Sequence, residues 1–315
     1  MKKSIYLVTG GAGFIGSNLV EKLLKEGKNV RVVDDLSTGN FENIKPFIEQ
    51  IEFICGDLSH YQTALNATKD IEYIFHQAAV PSVPRSIADP IRSNRAIVDA
   101  SLNLFEAAKQ NKAKRIVQAS SSSIYGNSKE LPKVETMPIN PLSPYATAKF
   151  AQENYGKTFS QLYNMEIVSL RYFNVFGPRQ DPFSEYSAVI PKFIELIMAN
   201  KQPVIYGDGE TSRDFTYIDN VVSANLKAMH SQKIKGSEVL NIACGERFTL
   251  KQLVQILFDI AGKEIHYQQA PERPGDVKHS LADISLAKEL IGYKPVVTFE
   301  EGLKKTFEYL KTKKD

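Results

Sequence analysis

The 315-residue chain is 43% hydrophobic, which suffices for a large α/β core or two compact domains and excludes a disordered linker. Lys and Arg number 39 against 36 Asp and Glu, and the resulting net charge of +3 excludes a protein built to wrap nucleic acid. Only Cys55 and Cys244 occur, in no Cys-x-x-Cys pair, so no disulfide framework or cysteine zinc site is expected and a reducing, cytoplasmic setting fits.

The first predicted strand, residues 5–8, is too short an apolar run for an export signal, and no later run reaches membrane-spanning length. It opens a rhythm of β-branched run, polar turn and amphipathic helix that predicts parallel βαβ units. Further strands are expected at 30–33, 51–54, 73–75, 115–118 and 167–171, with helices such as 17–26 and 102–110 between them. Glycine and proline cluster after Asn174, at Gly177-Pro178 and Gly207-Asp208-Gly209, and mark the start of a loop-rich lobe. Residues 214–229 read again as a strand edge plus helix, a return to the first domain.

The strand at 5–8 runs into Thr9-Gly10-Gly11-Ala12-Gly13-Phe14-Ile15-Gly16 and then a helix, so glycines stand where a backbone must approach a pyrophosphate at a helix N-terminus. Gly11-x-Gly13-x-x-Gly16 and Gly10-x-x-Gly13-x-x-Gly16 both satisfy dinucleotide spacings. Glycine triplets are weak alone, and here the strand before, the helix after and an acid downstream supply the context. That acid is Asp34, which closes the second strand. A carboxylate there accepts from a ribose 2′-hydroxyl and repels a 2′-phosphate, so NAD is expected over NADP. Asp57-Leu58 follows the third strand, where it could meet an adenine edge, although Asp57 could equally cap a helix. The expected fold class is therefore α/β. A Rossmann-type doubly wound parallel sheet takes residues 1–174 with a return at about 214–242, and a smaller α+β substrate-binding lobe takes 175–213 and 243–315.

In Tyr145-Ala146-Thr147-Ala148-Lys149 a phenol and an ammonium share one helix face, with Pro141 and Pro144 marking the helix start. That spacing alone is common on helix surfaces. A tyrosine acting as a base near neutral pH needs its pKa of about 10 lowered by about three units, roughly 4 kcal/mol, and neighbouring cations do this. Ser120-Ser121-Ser122-Ser123 follows the 115–118 strand at its carboxyl end, where open sheets bind ligands, though serine runs are also ordinary turn chemistry. The combination of glycine turn, serine loop and Tyr-Lys helix decides between these readings.

At these residues the sequence resembles the extended short-chain dehydrogenase/reductase superfamily, and within it the nucleotide-sugar epimerases and dehydratases, over essentially its whole length. Further matching motifs are Leu170-Arg171-Tyr172-Phe173-Asn174-Val175-Phe176-Gly177-Pro178-Arg179-Gln180, Tyr206-Gly207-Asp208-Gly209, Ser212-Arg213-Asp214-Phe215-Thr216-Tyr217-Ile218 and Arg273-Pro274-Gly275-Asp276. The nearest group it resembles is the bacterial UDP-N-acetylglucosamine 4-epimerases.

The resemblance implies Tyr145 as the base, Lys149 as the cation that lowers its pKa and holds the nicotinamide ribose, and Ser121 as the hydroxyl sharing the substrate proton, with Ser122 and Ser123 beside it. It implies cofactor contacts from Gly10, Gly13, Phe14, Ile15, Gly16, Asp34, Asp35, Ser37, Thr38, Gly39, Asp57, Leu58, Gln77, Ala78, Ala79 and Tyr172 as well as from Tyr145 and Lys149. Arg213 and Arg273 would grip the UDP diphosphate, Asn174 would donate to the pyrophosphate or sugar, Tyr206 would pack by the uracil and Asp276 would accept from the ribose. Ser82, Gln180, Ala188, Val189 and Ser280 would form the sugar pocket.

Sugar dehydratases of this superfamily carry an Asp-Glu pair where Ser122 and Ser123 stand, and the decarboxylases a glutamate at the second position. Two serines cannot make those proton transfers. What remains is C4 oxidation to a 4-keto sugar followed by reduction from the other face. A tyrosine at the position of Ser280 would exclude an N-acetyl group, so the serine implies UDP-GlcNAc to UDP-GalNAc, with UDP-Glc to UDP-Gal also admitted. A UDP-glucose or UDP-glucuronate 4-epimerase is the rival, and Asn174 leans away from the uronate branch. A non-catalytic NAD-sensing protein is the distant alternative, and such proteins typically lack the tyrosine or lysine that are both intact here.

Two positions depart from the pattern: Pro81 stands for a glycine, and Ile97 for an asparagine that Asn94 would replace. The resemblance also implies a homodimer through the helix carrying Tyr145 and Lys149 and the helix at 93–110. No metal, nucleic acid or membrane partner is expected.

Overall fold

The protein, seen in a computed structural model, is described over residues 5–181, 189–263, 266–272 and 278–313. Strands β1 (Ile5–Thr9), β2 (Asn29–Asp34), β3 (Ile51–Cys55), β4 (Tyr73–His76), β5 (Arg115–Ser121) and β6 (Glu166–Tyr172) stand where the β-branched runs predict them, each a little longer. Past β6 come the two- and three-residue strands β7 (Val175–Phe176), β8 (Val204–Tyr206), β9 (Ser212–Arg213) and β10 (Thr216–Tyr217). Then follow β11 (Ser237–Ile242), β12 (Phe248–Thr249) and β13 (Gln268–Ala270). Helices are α1 (Phe14–Lys25), α2 (Tyr61–Ala67), α3 (Val83–Ala88), α4 (Pro90–Asn94), α5 (Ala100–Gln110), α6 (Pro144–Tyr163), α7 (Val189–Met198), α8 (Ile218–His230), α9 (Leu250–Ala261), α10 (Ser285–Ile291) and α11 (Phe299–Thr312).

Seven strands form one sheet in the order β11-β6-β5-β4-β1-β2-β3, parallel at every junction. The order reverses between β1 and β4, so a crevice opens beyond their carboxyl ends, where open sheets of this kind bind ligands. Alternation along each strand feeds two cores. Tyr6 and Val8 pack with Leu19 and Val20 of α1 and Val221 and Ala224 of α8, whereas Leu7 packs with Ile74, Ile116 and Ile167 beneath α2 and α5. The return to the sheet runs through α8 into β11, a strand the β-branched signal did not announce because Ser237, Glu238 and Asn241 interrupt it. Pairing with β6 from Ser237↔Ile167 to Ile242↔Tyr172 makes it one.

The helix expected over 93–110 is broken. A π-helical turn, Arg95–Asp99, separates α4 from α5 and buries Ile97 completely. Asn94 is exposed and donates to Asp99 Oδ1 at 3.3 Å, so it does not take over the role of an asparagine at 97.

Helix α6 starts on Ser143, whose hydroxyl accepts from Ala146 N at 3.2 Å, with Pro144 as its first residue, and stops at Asn164 in the left-handed region (φ 54°). In the lobe, α9 and α11 each begin with a capping box, Thr249 with Gln252 and Thr298 with Glu301. Phe299 stacks between Phe248 and Phe215 with ring centroids 4.3 and 5.1 Å away. Among the described residues no helix is long and apolar enough to cross a membrane, and no cluster of His, Cys, Asp or Glu could hold a metal.

Candidate active site

A cavity of about 740 Å³ occupies the crevice at the sheet's switch point, a size suited to a nucleotide cofactor. One wall is the β1–α1 turn. Gly10 adopts φ 64°, and a Cβ there would lie 2.7 Å from Ala78 N, so only glycine lets this turn lie against the chain after β4. Gly13 caps α1 with no side-chain bond, leaving the helix N-terminus to the cavity as an anion site. Asp34 Oδ2 accepts from Ala12 N at 2.9 Å and Oδ1 from Leu36 N at 2.8 Å, so each oxygen keeps a lone pair for a diol. Burial pushes the Asp34 carboxyl up while these amide bonds hold it down. Asp57 is not a helix cap: it binds Ser59 N and Oγ at 2.7 and 2.8 Å and lines the cavity beside Leu58.

All the residues expected to touch the cofactor line this one cavity, from Gly10 through Asp57 and Gln77 to Tyr145, Lys149 and Tyr172. Tyr172 Oη accepts from Asn225 Nδ2 at 2.9 Å and lies 3.2 Å from Gln77 Oε1, which fixes the inner wall. On the cavity wall Tyr145 is hydrogen-bonded to Ser121. Burial pushes the Tyr145 phenol up and the Ser121 bond opposes it, so the lowering that a base needs is not supplied by the protein alone. Lys149 is buried, donating to Ala119 O at 2.7 Å and Gln152 Oε1 at 3.0 Å, and burial pushes its ammonium down to about 7.

The expected sugar residues divide. Ser82 and Gln180 line the cavity, and Ser82 Oγ, Gln180 Oε1 and Ser123 Oγ are buried without a hydrogen-bond partner in the protein. Ser82 is strained at φ 96° next to the exposed Pro81. Asn174 uses both amide hydrogens internally, to Asp214 O at 2.9 Å and Ser280 Oγ at 3.1 Å. What it keeps for a ligand is Oδ1, an acceptor, where a donor is expected. Arg213 donates to Ser212 O and Lys278 O, and Tyr206 is partly exposed on β8. Val189 opens α7. Ser280, Arg213, Tyr206 and Val189 lie outside the cavity wall, and Ala188, Arg273 and Asp276 fall outside the described residues. On the π turn the cavity meets Ala96, and beyond it Ala100, while Ile97 faces the core.

The family of GDP-mannose 4,6 dehydratases matches residues 7–306. The chain belongs to the epimerase and dehydratase family of nucleotide-sugar enzymes. Among solved structures, it is similar to the UDP-N-acetylglucosamine 4-epimerase of Methanobrevibacter ruminantium, described in complex with UDP-N-acetylmuramic acid. That likeness has 43% identity over 99% of this chain and 100% of that one, with a TM-score of 0.94. A Thermus thermophilus UDP-glucose 4-epimerase in complex with NAD shares 36% identity over 98% and 99% of the two chains, with a TM-score of 0.88. A putative UDP-glucose 4-epimerase of Methanocaldococcus jannaschii is 38% identical over 97% of this chain and 98% of its own.

In this family member two polar clusters support the site that the motifs did not reveal. Behind the serine loop, Glu153 and Arg171 form a buried ion pair at 2.8 Å, and Arg171 also donates to Tyr125 Oη at 2.9 Å. Tyr125 in turn donates to Asn241 Oδ1 at 2.7 Å. In the lobe, fully buried Asp214 accepts from Cys244 N, Gly245 N and Ala282 N at 2.9, 3.1 and 3.2 Å, and its own N–H donates to Ser280 Oγ at 3.3 Å. It thereby ties together the loops that carry Asn174 and Ser280. Burial without a counter-charge pushes the Asp214 carboxyl up to about 7.

Proposed function

We propose that this protein is an NAD-dependent UDP-hexose 4-epimerase whose principal substrates are UDP-GlcNAc and UDP-GalNAc, with UDP-Glc and UDP-Gal as further ones. The carrying observation is Tyr145, hydrogen-bonded to Ser121, on the wall of a nucleotide-sized cavity that the uncapped N-terminus of α1 also lines. The glycine cradle, the two-amide Asp34 and the uncapped helix fit a dinucleotide with a free 2′-hydroxyl. NAD bound there would supply one capacity, that of accepting the C4 hydride and returning it to the opposite face of the ketone.

The remaining work falls to the chain. Tyr145 takes the C4 hydroxyl proton and gives it back, and Ser121 shares that proton through their hydrogen bond. Because burial alone pushes Tyr145 the wrong way for a base, its activation falls to the positive charge of Lys149 one turn along the helix. Ser122 and Ser123 carry no carboxyl, so the dehydratase chemistry in the family's description lacks its acid and base here.

The lobe, with Arg213, Tyr206 and the undescribed Arg273 and Asp276, takes the UDP, which leaves the sugar free to turn. The small Ser280 side chain, turned onto Asn174 and Asp214 N, leaves volume for an N-acetyl group. A second copy of the chain covers exposed Ile87 and Ile91 on α3 and α4 and Leu162 and Tyr163 on α6. The two cysteines, neither in a disulfide, suit a reducing cytoplasm.

The test is to incubate the purified protein with UDP-GlcNAc, UDP-Glc and UDP-GlcA in separate reactions, with and without NAD, and to analyse the C4 configuration of each sugar. Conversion of UDP-GlcNAc, faster than that of UDP-Glc, is expected. Conversion of UDP-GlcA alone would replace the substrate assignment, and no conversion of any sugar would overturn the reading.

A further inference from the structure

Three α6 side chains spaced four residues apart engage three consecutive residues at the end of β5. Tyr145 bonds to Ser121, Lys149 Nζ donates to Ala119 O at 2.7 Å, and Glu153 Oε1 accepts from Ser120 Oγ at 2.5 Å. Glu153 is only 5% exposed, and its carboxylate also receives Arg171 Nε at 3.0 Å and Nη2 at 2.8 Å. A charge pair in such a place costs desolvation and is weak evidence of a stabilising purpose. We propose that Glu153 is a positioning residue for the epimerisation: its carboxylate holds Lys149 as an ammonium and fixes the serine loop, so that the proton shared by the pair leaves Tyr145.

Glu153 acts on the pair through its charge, given Tyr145 as the base proposed above. A phenolate beside an ammonium and a phenol beside an amine hold the same number of protons, and burial favours the uncharged pair. Along α6, Glu153 is one turn from Lys149, about 6 Å of rise, and two turns from Tyr145, about 12 Å. Its negative charge therefore stabilises the ammonium more than it opposes the phenolate. Consistently, burial drives Lys149 downward and Glu153 is the charge that opposes it.

The groups on neighbouring elements do not do this work. From β4, His76 is buried and held neutral, far below its usual range, between Thr9 Oγ1 at 2.7 Å and Ser101 Oγ at 2.9 Å. From β6, Arg171 is bound to Glu153 itself, and burial pushes the Tyr172 phenol up. Tyr125, in the turn after β5, is likewise pushed up by burial, and Glu238 on β11 is raised by burial at the sheet edge. Asp89, Arg92, Arg95 and Asp99, around α4, are exposed, and Arg85 of α3 lies on the cavity wall.

The test compares Glu153→Gln, Arg171→Gln and the double variant Glu153→Gln/Arg171→Gln with wild type, as purified holoproteins, by epimerase pH–rate profiles. The double variant guards against misfolding, because it leaves neither charge unpaired. For Glu153→Gln, kcat falls about tenfold with KM unchanged, the factor Coulomb's law gives for these two separations at an effective dielectric of about 20, and in the double variant it falls less, because the opposing Arg171 charge leaves with the carboxylate. The bell of kcat against pH also moves about one unit lower in Glu153→Gln, because removing a negative charge lets both groups release protons more readily, and moves lower by less in the double variant. Arg171→Gln keeps the carboxylate, and its optimum moves no lower than that of wild type. An active wild type whose optimum stays unmoved in both Glu153 variants overturns this inference alone, as does an equal downward shift in Arg171→Gln. A wild type without epimerase activity overturns the reading of the site on which it rests.

Discussion

Lys149 Nζ donates a 2.7 Å hydrogen bond to the backbone oxygen of Ala119, within a residue that is 1% exposed. The bond fixes α6 to the end of β5, and the burial that comes with it depresses the ammonium to about 7 against 10.5 in an unfolded chain. Between those values the unfolded chain binds the proton more tightly, so stability rises as pH rises through that window. We expect Lys149→Met to lose this rise, which amounts to up to ~2 kcal/mol between about pH 7 and pH 9. Urea unfolding at the two pH values measures it, and a variant with the wild-type slope would show that Lys149 titrates normally.

Asp214 has the opposite sign. Its carboxyl is pushed up to about 7 by burial from 3.8, so between those values the folded protein holds a proton that the unfolded chain has released, and stability falls as pH rises. Asp214→Asn flattens that fall. It also weakens the amide bonds from Cys244, Gly245 or Ala282, at a cost of about 1–3 kcal/mol for a buried group left unpaired. Thermal melts from about pH 4 to about pH 7 read both effects. An unchanged pH dependence would contradict the assignment.

The seven-stranded sheet was legible because six of its strands are β-branched runs punctuated by polar turns, and the cofactor cradle because Gly10 and Gly13 lie between a strand and a helix with Gly16 in the first turn of that helix. β11 was not, since Ser237, Glu238 and Asn241 disguise a strand that only pairing with β6 creates. The Glu153–Arg171–Tyr125–Asn241 cluster joins residues far apart in the chain, which no local spacing announces. Its one local trace is Glu153 standing four residues after Lys149. The π turn was hidden for a similar reason: residues 93–110 read as one helix, and only the packing of Ile97 into the core reveals the break.

Ser280 accepts from Asn174 Nδ2 at 3.1 Å and Asp214 N at 3.3 Å, and the proposed function assigns its small side chain to the side of the sugar that carries the N-acetyl group. For Ser280→Tyr we expect turnover of UDP-GlcNAc to drop at least about a hundredfold in kcat/KM, an overlap cost of roughly 3 kcal/mol, with UDP-Glc turnover retained. Equal losses on both sugars would place the N-acetyl pocket elsewhere.

Ile91 on α4 is 73% exposed and Leu162 on α6 is 66% exposed. Such large apolar side chains on adjacent helices fit a self-complementary interface. The double substitution Ile91→Glu/Leu162→Glu is expected to convert a dimer to a monomer in sedimentation without lowering the melting temperature of the fold. A wild-type protein that sediments as a monomer would contradict the dimer.

Everything proposed for this site turns on Tyr145, paired with Ser121, as the base of a UDP-sugar 4-epimerisation. Its most direct measurement is the rate of UDP-GalNAc formation from UDP-GlcNAc by wild type and Tyr145→Phe, alongside UDP binding by both. Tyr145→Phe is expected to bind UDP as wild type does while its turnover falls by about 10²- to 10⁴-fold, the range for losing a positioned acid–base group. Turnover of Tyr145→Phe within a few-fold of wild type would contradict it.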